Sequence, residues 1–272
     1  MRPLIIFHDN CADGFTGAWV AHRFFRGEVD LHPATHSQAP PDVTDRDVFL
    51  IDFCYPRVQL EAMRERARRI VVLDHHKTAA EDTKDCPGIE MVFDMDRCGA
   101  RLAWDYWFPN DSPPQVLLHV EDQDLGRFAL PFTHEIQSTV FSYPYEMGVW
   151  SQLMASDPQQ LATEGTSIVR KLSRDIINLL SVVTRRMRIA GHDVPVANLP
   201  YTLAPDAARR LADGEPFAAC YWDTPGQRVF SLRSVKAGID VSEVAKLYGG
   251  GGHRHAAGFR VGYEQARTFE LD

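Results

Sequence analysis

The run RIVVL at residues 69–73 is followed directly by Asp74, His75 and His76. A short, β-branched apolar run of this kind predicts a buried β-strand. Such a strand delivers one carboxylate and two imidazoles at its carboxyl end, which is where open α/β sheets bind ligands. Because burying a carboxylate beside two imidazoles is costly unless a cation neutralises it, this stretch constrains the fold and the site together.

The same arrangement occurs three more times in the first half of the chain. A single aspartate at a strand end often only caps the following helix. Four such ends, brought to one edge by parallel strands, would repel one another unless a divalent metal ion neutralised them. We therefore predict a metal site. The three further runs are residues 4–7 before His8 and Asp13, residues 48–51 before Asp52, and residues 116–120 before Glu121, Asp122 and Asp124.

The order of the predicted elements indicates an α/β fold with a helical connector. Strands and helices alternate over residues 1–157, which predicts a doubly wound, mostly parallel sheet. Apolar residues at helical spacing predict a helical connector over 158–190, and its basic run at 185–188 suits a helix C-terminus. Residues 191–272 contain further predicted strands and one predicted helix, so we expect a smaller α/β domain there.

Composition narrows the classes of partner. A chain of 272 residues is long enough for two modest domains. The net charge of -8 argues against long duplex DNA, whose binders usually carry a basic surface. No apolar run approaches the roughly 18 residues of a membrane span, so no membrane partner is expected. The five cysteines form no CxxC pair, which favours a reduced, cytoplasmic environment.

These motifs together resemble those of the DHH-family phosphoesterases. That family includes single-strand exonucleases, short-oligonucleotide hydrolases of the nanoRNase type, cyclic-dinucleotide phosphodiesterases and an inorganic pyrophosphatase. Residues 249–259, GGGGHRHAAGF, look like the glycine-rich signature of the family's DHH-associated C-terminal domain. The resemblance spans nearly the whole chain. It implies a catalytic domain at 1–157 and a substrate-binding domain at 191–272.

The resemblance also implies two divalent metal ions and the residues that hold them. A set of carboxylates with a minority of imidazoles suits Mn²⁺, with Mg²⁺ as the alternative. Asp52 matches an aspartate able to bridge both ions, and His76 matches a histidine beside the scissile phosphate that acts as an acid or a transition-state contact. Asp74 is expected to be essential for catalysis as well as a ligand. The implied metal ligands are His8, Asp13, Asp52, Asp74, His75 and a single aspartate of the fourth motif.

Two positions leave alternatives open. For the fourth motif we favour Asp124, because the sequence after it resembles the family's more closely, and Asp122 is the alternative. Many relatives have an aspartate where this chain has Cys11. The Cys11 thiol could ligate a metal, a water could replace the missing oxygen, or Asp9 could reach in. A small residue buried at a turn is the structural alternative for Cys11.

The glycine-rich segment has its own predicted chemistry. Glycines allow positive φ angles and close backbone approach, so their amides can surround an anion. The resemblance implies that Gly250, Gly251, Gly252 and His253 contact a terminal phosphate or a base of the substrate. Arg233 is expected to pair with a phosphate.

The function implied is a metal-dependent phosphodiesterase that hydrolyses short oligonucleotides or linear dinucleotides such as pGpG to mononucleotides by a two-metal mechanism. The alternatives are a single-strand exonuclease, a cyclic-dinucleotide or nucleotide-bisphosphate phosphatase, and a nucleotide sensor with weakened catalysis. The exonuclease should have a basic channel, and none is visible in the sequence. Some relatives are dimers, so a homodimer stays open.

Overall fold

A computed structural model describes residues 1–35 and 38–271 of the chain. Over these residues the chain forms eleven helices and eleven strands. They divide into two compact units, residues 1–169 and residues 170–272. One long helix, Pro158–Val183, begins in the first unit and ends in the second. The predicted fold class is confirmed: a parallel α/β sheet is followed by a helix and a smaller α/β unit.

The first unit is built on sheet A, whose five strands are all parallel to their neighbours. The strands are β1 (Leu4–His8), β2 (Asp30–Ala34), β3 (Asp47–Ile51), β4 (Arg69–Asp74) and β5 (Glu90–Phe93). They lie across the sheet in the order β2-β1-β3-β4-β5. The three strands predicted to end in chemistry-bearing residues, β1, β3 and β4, are therefore adjacent at the centre.

Helices cover sheet A on both faces, as a doubly wound fold requires. The helices of the first unit are α1 (Ala12–Phe24), α2 (Arg57–Arg64), α3 (Lys77–Asp82), α4 (Gly99–Trp107), α5 (Gln115–Asp124), α6 (Thr133–Val140) and α7 (Met147–Ala155), followed by α8 (Pro158–Val183). Side chains alternate along each strand. Ile5 and Val71 therefore join one core with α1 and α4, while Ile6 and Val72 join another with α2.

The prediction of a strand at residues 116–120 is wrong, because this run is the middle of helix α5. A short apolar run predicts a buried strand and a buried helix equally well. Two features identify the helix in retrospect. The first is Pro114, which is the N-cap residue and adjoins the first helical turn, where proline is tolerated. The second is the spacing of Val116 and Val120, which are both buried and lie one helical turn apart.

The second unit is built on a six-stranded sheet B, in which only the β7–β8 pair is parallel. Its strands are β6 (Thr184–Ile189), β7 (His192–Asn198), β8 (Ala218–Thr224), β9 (Gln227–Arg233), β10 (Gly251–His253) and β11 (Ala256–Gly262). They lie in the order β10-β11-β9-β8-β7-β6. Its helices are α9 (Ala204–Leu211), α10 (Val241–Lys246) and α11 (Tyr263–Arg267).

One further expectation about local structure is corrected in this unit. The basic run at 185–188 does not end a helix, because α8 ends at Val183 and the run lies on β6. Met187 is buried there while its arginine neighbours are exposed, which is the alternation of a strand with one solvated face. Residues 251–253 of the glycine segment form the edge strand β10.

Among the described residues no helix is both long enough and apolar enough to span a bilayer. The longest, α8, carries charged side chains along its length.

Candidate metal centre

The chemistry-bearing residues of the first unit meet at the carboxyl edge of sheet A. His8 is the last residue of β1, Asp52 follows β3 directly, and Asp74 is the last residue of β4. The carboxyl ends of parallel strands lie at one edge, which explains why positions far apart in sequence converge. Asp13 joins them from the first turn of α1, and Asp124 from the last residue of α5.

The His75 imidazole stands at the centre of three carboxylates. Its Nε2 atom lies 3.2 Å from Asp52 Oδ1, 3.3 Å from Asp124 Oδ2 and 3.6 Å from Asp13 Oδ2. His75, Asp13 and Asp52 are almost completely buried, whereas the Asp124 side chain is 26% exposed. One face of the cluster is thus open at Asp124 while the rest is enclosed.

Asp52 presents its two carboxylate oxygens to different neighbours. Oδ1 faces His75, and Oδ2 lies 3.5 Å from Nδ1 of His8. Its backbone has a φ of +53°, a left-handed conformation that is uncommon for residues other than glycine. Strain of this kind persists only where the surroundings enforce it, and it concentrates at functional sites. The Asp52 carboxylate therefore lies between His8 on one side and His75 on the other.

Gly99, at the start of α4, is part of what holds Asp52 in place. A Cβ atom on Gly99 would lie 2.5 Å from Cβ and 2.8 Å from Cα of Asp52, closer than such atoms approach in proteins. Only glycine therefore allows the helix to approach Asp52 this closely. No sequence motif marked Gly99 as part of the site.

The N-terminus of α4 also orients Asp13. The backbone N–H groups of Gly99 and Ala100 donate to the two carboxylate oxygens of Asp13, at 2.7 and 2.8 Å. These N–H groups are among those that a helix leaves without intrahelical partners, and its dipole favours a carboxylate there. The partners in these two hydrogen bonds are 86 and 87 residues apart in the sequence, so no local pattern could have revealed them.

Asp74 and His76 form a hydrogen-bonded pair at the end of β4. Asp74 Oδ1 lies 2.7 Å from Nδ1 of His76 and also accepts from the backbone N–H of His75 at 2.7 Å. His76 Nδ1 is 3.8 Å from Asp52 Oδ1, so the pair adjoins the cluster. Asp74 is fully buried, and the His76 side chain is 19% exposed.

Crowding shifts the pKa values of the three carboxyl groups around His75 in different directions. Burial, with the charges of Asp52 and Asp124, raises the pKa of Asp13 well above its usual range. Burial also raises the pKa of Asp124, and the charge of Asp52 adds to it against the opposing effect of His75. Burial opposes ionisation of Asp52 too, but contacts with His75 and His8 outweigh it and hold its pKa well below the usual range.

The two histidines carry the compensating positive charge. Burial alone would lower the pKa of His75, but the negative charges of Asp124 and Asp52 raise it to about 10. Burial likewise opposes the charged form of His76, and the adjacent Asp74 raises its pKa to about 9. The cluster therefore demands positive charge, which a bound metal ion would supply in place of the proton on His75.

One direct observation indicates that these carboxylates and imidazoles suit divalent cations. Oδ2 of Asp52 and Oδ2 of Asp74 are buried and accept no hydrogen bond from any described residue. An orphaned buried carboxylate oxygen is costly, and coordination to a cation removes that cost. Among residues of the first unit, three groups of side chains bring their ligand atoms within 4.8 Å of one another: Asp52, Asp74, His75 and His76; His8, Cys11 and Asp52; and Asp13, His75 and Asp124.

The structure places Asp9 and Cys11 differently relative to the other candidate donors. The Asp9 carboxylate accepts from the backbone N–H of Asn10 at 2.8 Å on the exposed side, and Asp9 is in none of the three groups. The Cys11 sulfur lies in the group with His8 and Asp52. Burial raises the pKa of the Cys11 thiol well above its usual value, and the charge of Asp52 raises it further.

The two candidates for the fourth-motif aspartate occupy different environments. Asp124 contacts His75, as given above, whereas Asp122 accepts from the backbone N–H groups of Ala129 and Leu130 at 2.9 and 3.1 Å. The Asp122 carboxylate also accepts from the hydroxyl of Thr133 at 2.6 Å. Asp122 therefore organises the turn between α5 and α6, and Asp124 is the one that the fold brings to the cluster.

The proposed substrate residues of the second unit lie on two strands of sheet B. Arg233, at the end of β9, donates to Ser231 Oγ at 3.2 Å and to the carbonyl of Leu232 at 2.8 Å. Gly251 and Gly252 pair with Gly258 and Ala257 of β11. Gly250 precedes β10 directly, and His253 ends it.

Close strand packing accounts for two of these glycines. A Cβ atom at Gly250 would lie 2.1 Å from the carbonyl oxygen of Gly258. At Gly252, which has a φ of +135°, it would lie 2.6 Å from the carbonyl oxygen of Ala256. The need for glycine at both positions follows from the backbone, whether or not a ligand binds there.

Solved structures give the context of this fold. A pGpG-specific phosphodiesterase, PggH from Vibrio cholerae, aligns over 98% of this chain and 95% of its own, with a TM-score of 0.52 at 13% identity. An exopolyphosphatase-related protein from Bacteroides fragilis aligns over 98% and 89%, with a TM-score of 0.55 at 14% identity. The chain shares its fold with these proteins, which are members of the DHH family of phosphoesterases.

A third DHH structure contains a metal ion. RecJ from Thermus thermophilus, solved in complex with Mn²⁺, aligns with a TM-score of 0.54 at 16% identity. The alignment covers 98% of this chain but only 51% of RecJ. The core shared with RecJ is thus about half of that larger protein.

Comparison of sequences adds one relative. An uncharacterized protein of Acanthamoeba polyphaga mimivirus is 26% identical over 280 aligned positions, which cover 94% of this chain and 66% of the relative. The chain thus spans just under two thirds of that protein's length. No protein-family model matches the sequence.

Proposed function

We propose that this chain is a metal-dependent phosphodiesterase that cleaves short oligonucleotides or linear dinucleotides to mononucleotides with two divalent ions. The observation that carries the proposal is the position of Asp52 between two groups of donors. One of its oxygens faces His75 with Asp13 and Asp124, and the other faces His8. A carboxylate shared in this way is the connection that a two-ion site requires.

The residues divide into two ligand groups that share Asp52. We propose that His8, Asp52 and Asp74 hold one ion, and that Asp52, Asp13, His75 and Asp124 hold the other. Mn²⁺ suits this mixture of carboxylates and imidazoles, with Mg²⁺ as the alternative. Bound ions of this kind activate water as a nucleophile and neutralise charge on the phosphate and the leaving oxygen. Asp122 is not in either proposed group, because its hydrogen bonds organise the turn after α5.

His76 is the residue proposed to act on the substrate directly. Asp74 fixes the orientation of its ring through the 2.7 Å contact with Nδ1, and a pKa of about 9 keeps the imidazole protonated at neutral pH. A cationic imidazole beside the phosphate would donate a hydrogen bond to the oxygens that gain charge in the transition state. It would also have a proton to give to the leaving oxygen.

Several observations support a short substrate. The alignment with the pGpG-specific enzyme covers nearly all of both chains, whereas RecJ is twice as long as the region that matches. The net charge of -8 disfavours extended tracking along a polyanion. In the second unit, Arg233 and the segment from Gly250 to His253 are proposed to contact a terminal phosphate or a base.

A substrate panel tests the proposal. The full chain is incubated with Mn²⁺ and, in parallel, with pGpG, pApA, a five-nucleotide RNA, a long RNA, a long single-stranded DNA, a cyclic dinucleotide, a nucleotide bisphosphate and polyphosphate. Release of products is followed by chromatography, with Asp52→Asn as the inactive control. We expect the dinucleotides and the five-nucleotide RNA to be cleaved fastest.

Three other results of the substrate panel would indicate three other functions. Faster cleavage of long single strands would identify an exonuclease, and selective release of phosphate from polyphosphate would identify a phosphoanhydride hydrolase. Tight binding of a dinucleotide without turnover would identify a sensor. Any of these three results would overturn the proposal.

A further inference from the structure

Cys11 lies in a group of three different donor types. Its sulfur, a ring nitrogen of His8 and a carboxylate oxygen of Asp52 lie within 4.8 Å of one another. Asp52 is 2% exposed, and its Oδ2 accepts no hydrogen bond from the described residues. That oxygen lies 3.5 Å from His8 Nδ1. A buried carboxylate oxygen without a hydrogen bond, placed beside an imidazole and a thiol, is suited to binding a cation.

Ordinary structural reasons for a cysteine are weak at this position. Cys11 is the N-cap residue of α1, but its side chain makes no capping hydrogen bond. It is also the one partly exposed cysteine, since the other four are buried. A small apolar filler would lie among apolar side chains, yet the Cys11 sulfur lies within 4.8 Å of a ring nitrogen of His8 and a carboxylate oxygen of Asp52.

We propose that Cys11 ligates one of the two metal ions together with His8 and Asp52, and that this thiolate-containing site selects a thiophilic cation such as Zn²⁺ over Mn²⁺. The proposal rests on the two-ion site of the proposed function and specifies one half of it. On binding, the Cys11 S–H bond is broken, the proton leaves to solvent, and a sulfur–metal bond forms. No electron is transferred in this step.

The two halves of the centre then differ in ligand chemistry. Sulfur, nitrogen and oxygen donors together suit Zn²⁺ or Co²⁺, because thiolate is a soft ligand. Asp13, Asp124 and His75 form a harder set, which suits Mn²⁺ or Mg²⁺. The Mn²⁺ preference expected from the sequence would thus hold for one ion and not for the other.

Co²⁺ is the direct probe, because a cobalt–thiolate bond produces a charge-transfer absorption in the near ultraviolet that nitrogen and oxygen ligands do not. The full chain is titrated with Co²⁺ alone and followed by absorption and calorimetry. We expect the band to saturate at one Co²⁺ per chain. Cys11→Ser should lose the band yet still bind Co²⁺ at the other site, and Cys86→Ser, which removes a buried thiol of the same unit, should keep it.

A competition experiment supplies the second readout. Cys11→Asp restores an oxygen donor, and we expect the ratio of Zn²⁺ to Mn²⁺ affinity to fall at least tenfold relative to the unmodified chain. Melting temperatures of the metal-free variants show that each variant is folded.

The outcomes separate the two proposals. Binding of two Co²⁺ ions without the band, or a band that survives Cys11→Ser, would overturn the role of Cys11 and leave the phosphodiesterase proposal intact. Absence of any metal binding would overturn both.

Discussion

The metal edge of sheet A and the glycine strand of sheet B are both dense in suggestive residues, but they differ in how far their own contacts explain them. At the metal edge, three carboxylates surround His75, Asp52 has a left-handed backbone, and buried oxygens lack hydrogen bonds. At the glycine strand, Gly250 and Gly252 are required by the close approach of β11.

The difference teaches where a ligand is needed to complete an account of the structure. Packing and hydrogen bonding explain the glycines without any further component. The same forces leave the carboxylate cluster costly, because like charges are held together out of water. A bound ligand is therefore needed to explain the metal edge, whereas the glycine strand is explained without one.

The largest expected effect comes from Asp52→Asn. Asparagine keeps the shape and tolerates the left-handed conformation, but it removes the charge shared by the two ligand groups. We expect turnover of a dinucleotide to fall by about 10³-fold or more, since both ions lose a ligand. Calorimetry should show loss of at least one Mn²⁺.

The same variant should not unfold the protein. The charge of Asp52 stabilises the metal-free fold through its contacts with His75 and His8, so the melting temperature of the metal-free variant should fall modestly while the chain stays folded. A large loss of metal-free stability would mean that Asp52 is structural and would remove the contrast drawn between the two regions.

Gly99→Ala should give the next largest effect on metal binding. The added Cβ would displace Asp52, and we expect Mn²⁺ affinity to fall about 10- to 100-fold, as for other residues that orient ligands. Gly148→Ala is the matched control, because a Cβ there meets no atom within 4 Å. Equal Mn²⁺ affinity in both variants would show that the approach of α4 to Asp52 does not matter for the site.

Gly252→Ala tests the glycine strand. We expect it to lower the free energy of unfolding by about 1–3 kcal/mol, because the added Cβ would meet β11 in a backbone conformation unfavourable to alanine. Mn²⁺ binding should be unaffected. In Gly249→Ala, which shares a positive φ but meets no atom within 4 Å, the loss should be smaller. A greater loss for Gly249→Ala would show that strand packing is not the reason for the glycine.

The smallest effect should come from Asp122→Asn. Burial opposes ionisation of Asp122, but hydrogen bonds from Thr133, Ala129 and Leu130 hold its pKa below the usual value. A lowered folded-state pKa contributes stability above the unfolded pKa, and that contribution is lost as pH falls through the folded pKa. We expect a loss of about 1 kcal/mol at pH 7 that shrinks on acidification, measured by denaturant unfolding.

Asp124→Asn is the matched partner of that variant. It should weaken Mn²⁺ binding and leave stability nearly unchanged, whereas Asp122→Asn should do the reverse. Weakened Mn²⁺ binding in Asp122→Asn alone would reassign the fourth-motif ligand.

The sequence was sufficient to predict the centre of sheet A, but it was not sufficient to predict the elements around it. The ends of β1, β3 and β4 could be predicted because alternating elements imply parallel strands whose carboxyl ends meet. Helix α5 was predicted as a strand, because a short apolar run suits a buried strand and a buried helix equally well. The contacts of Gly99 with Asp52 and Asp13 depend on how α4 packs, so they become visible only in the folded chain.

Anomalous diffraction from crystals soaked in excess Mn²⁺ tests the central claim most directly. We expect two peaks about 3.5–4 Å apart, with Asp52 within coordination distance of both. A single peak, or peaks that do not contact Asp52, would contradict the two-ion centre.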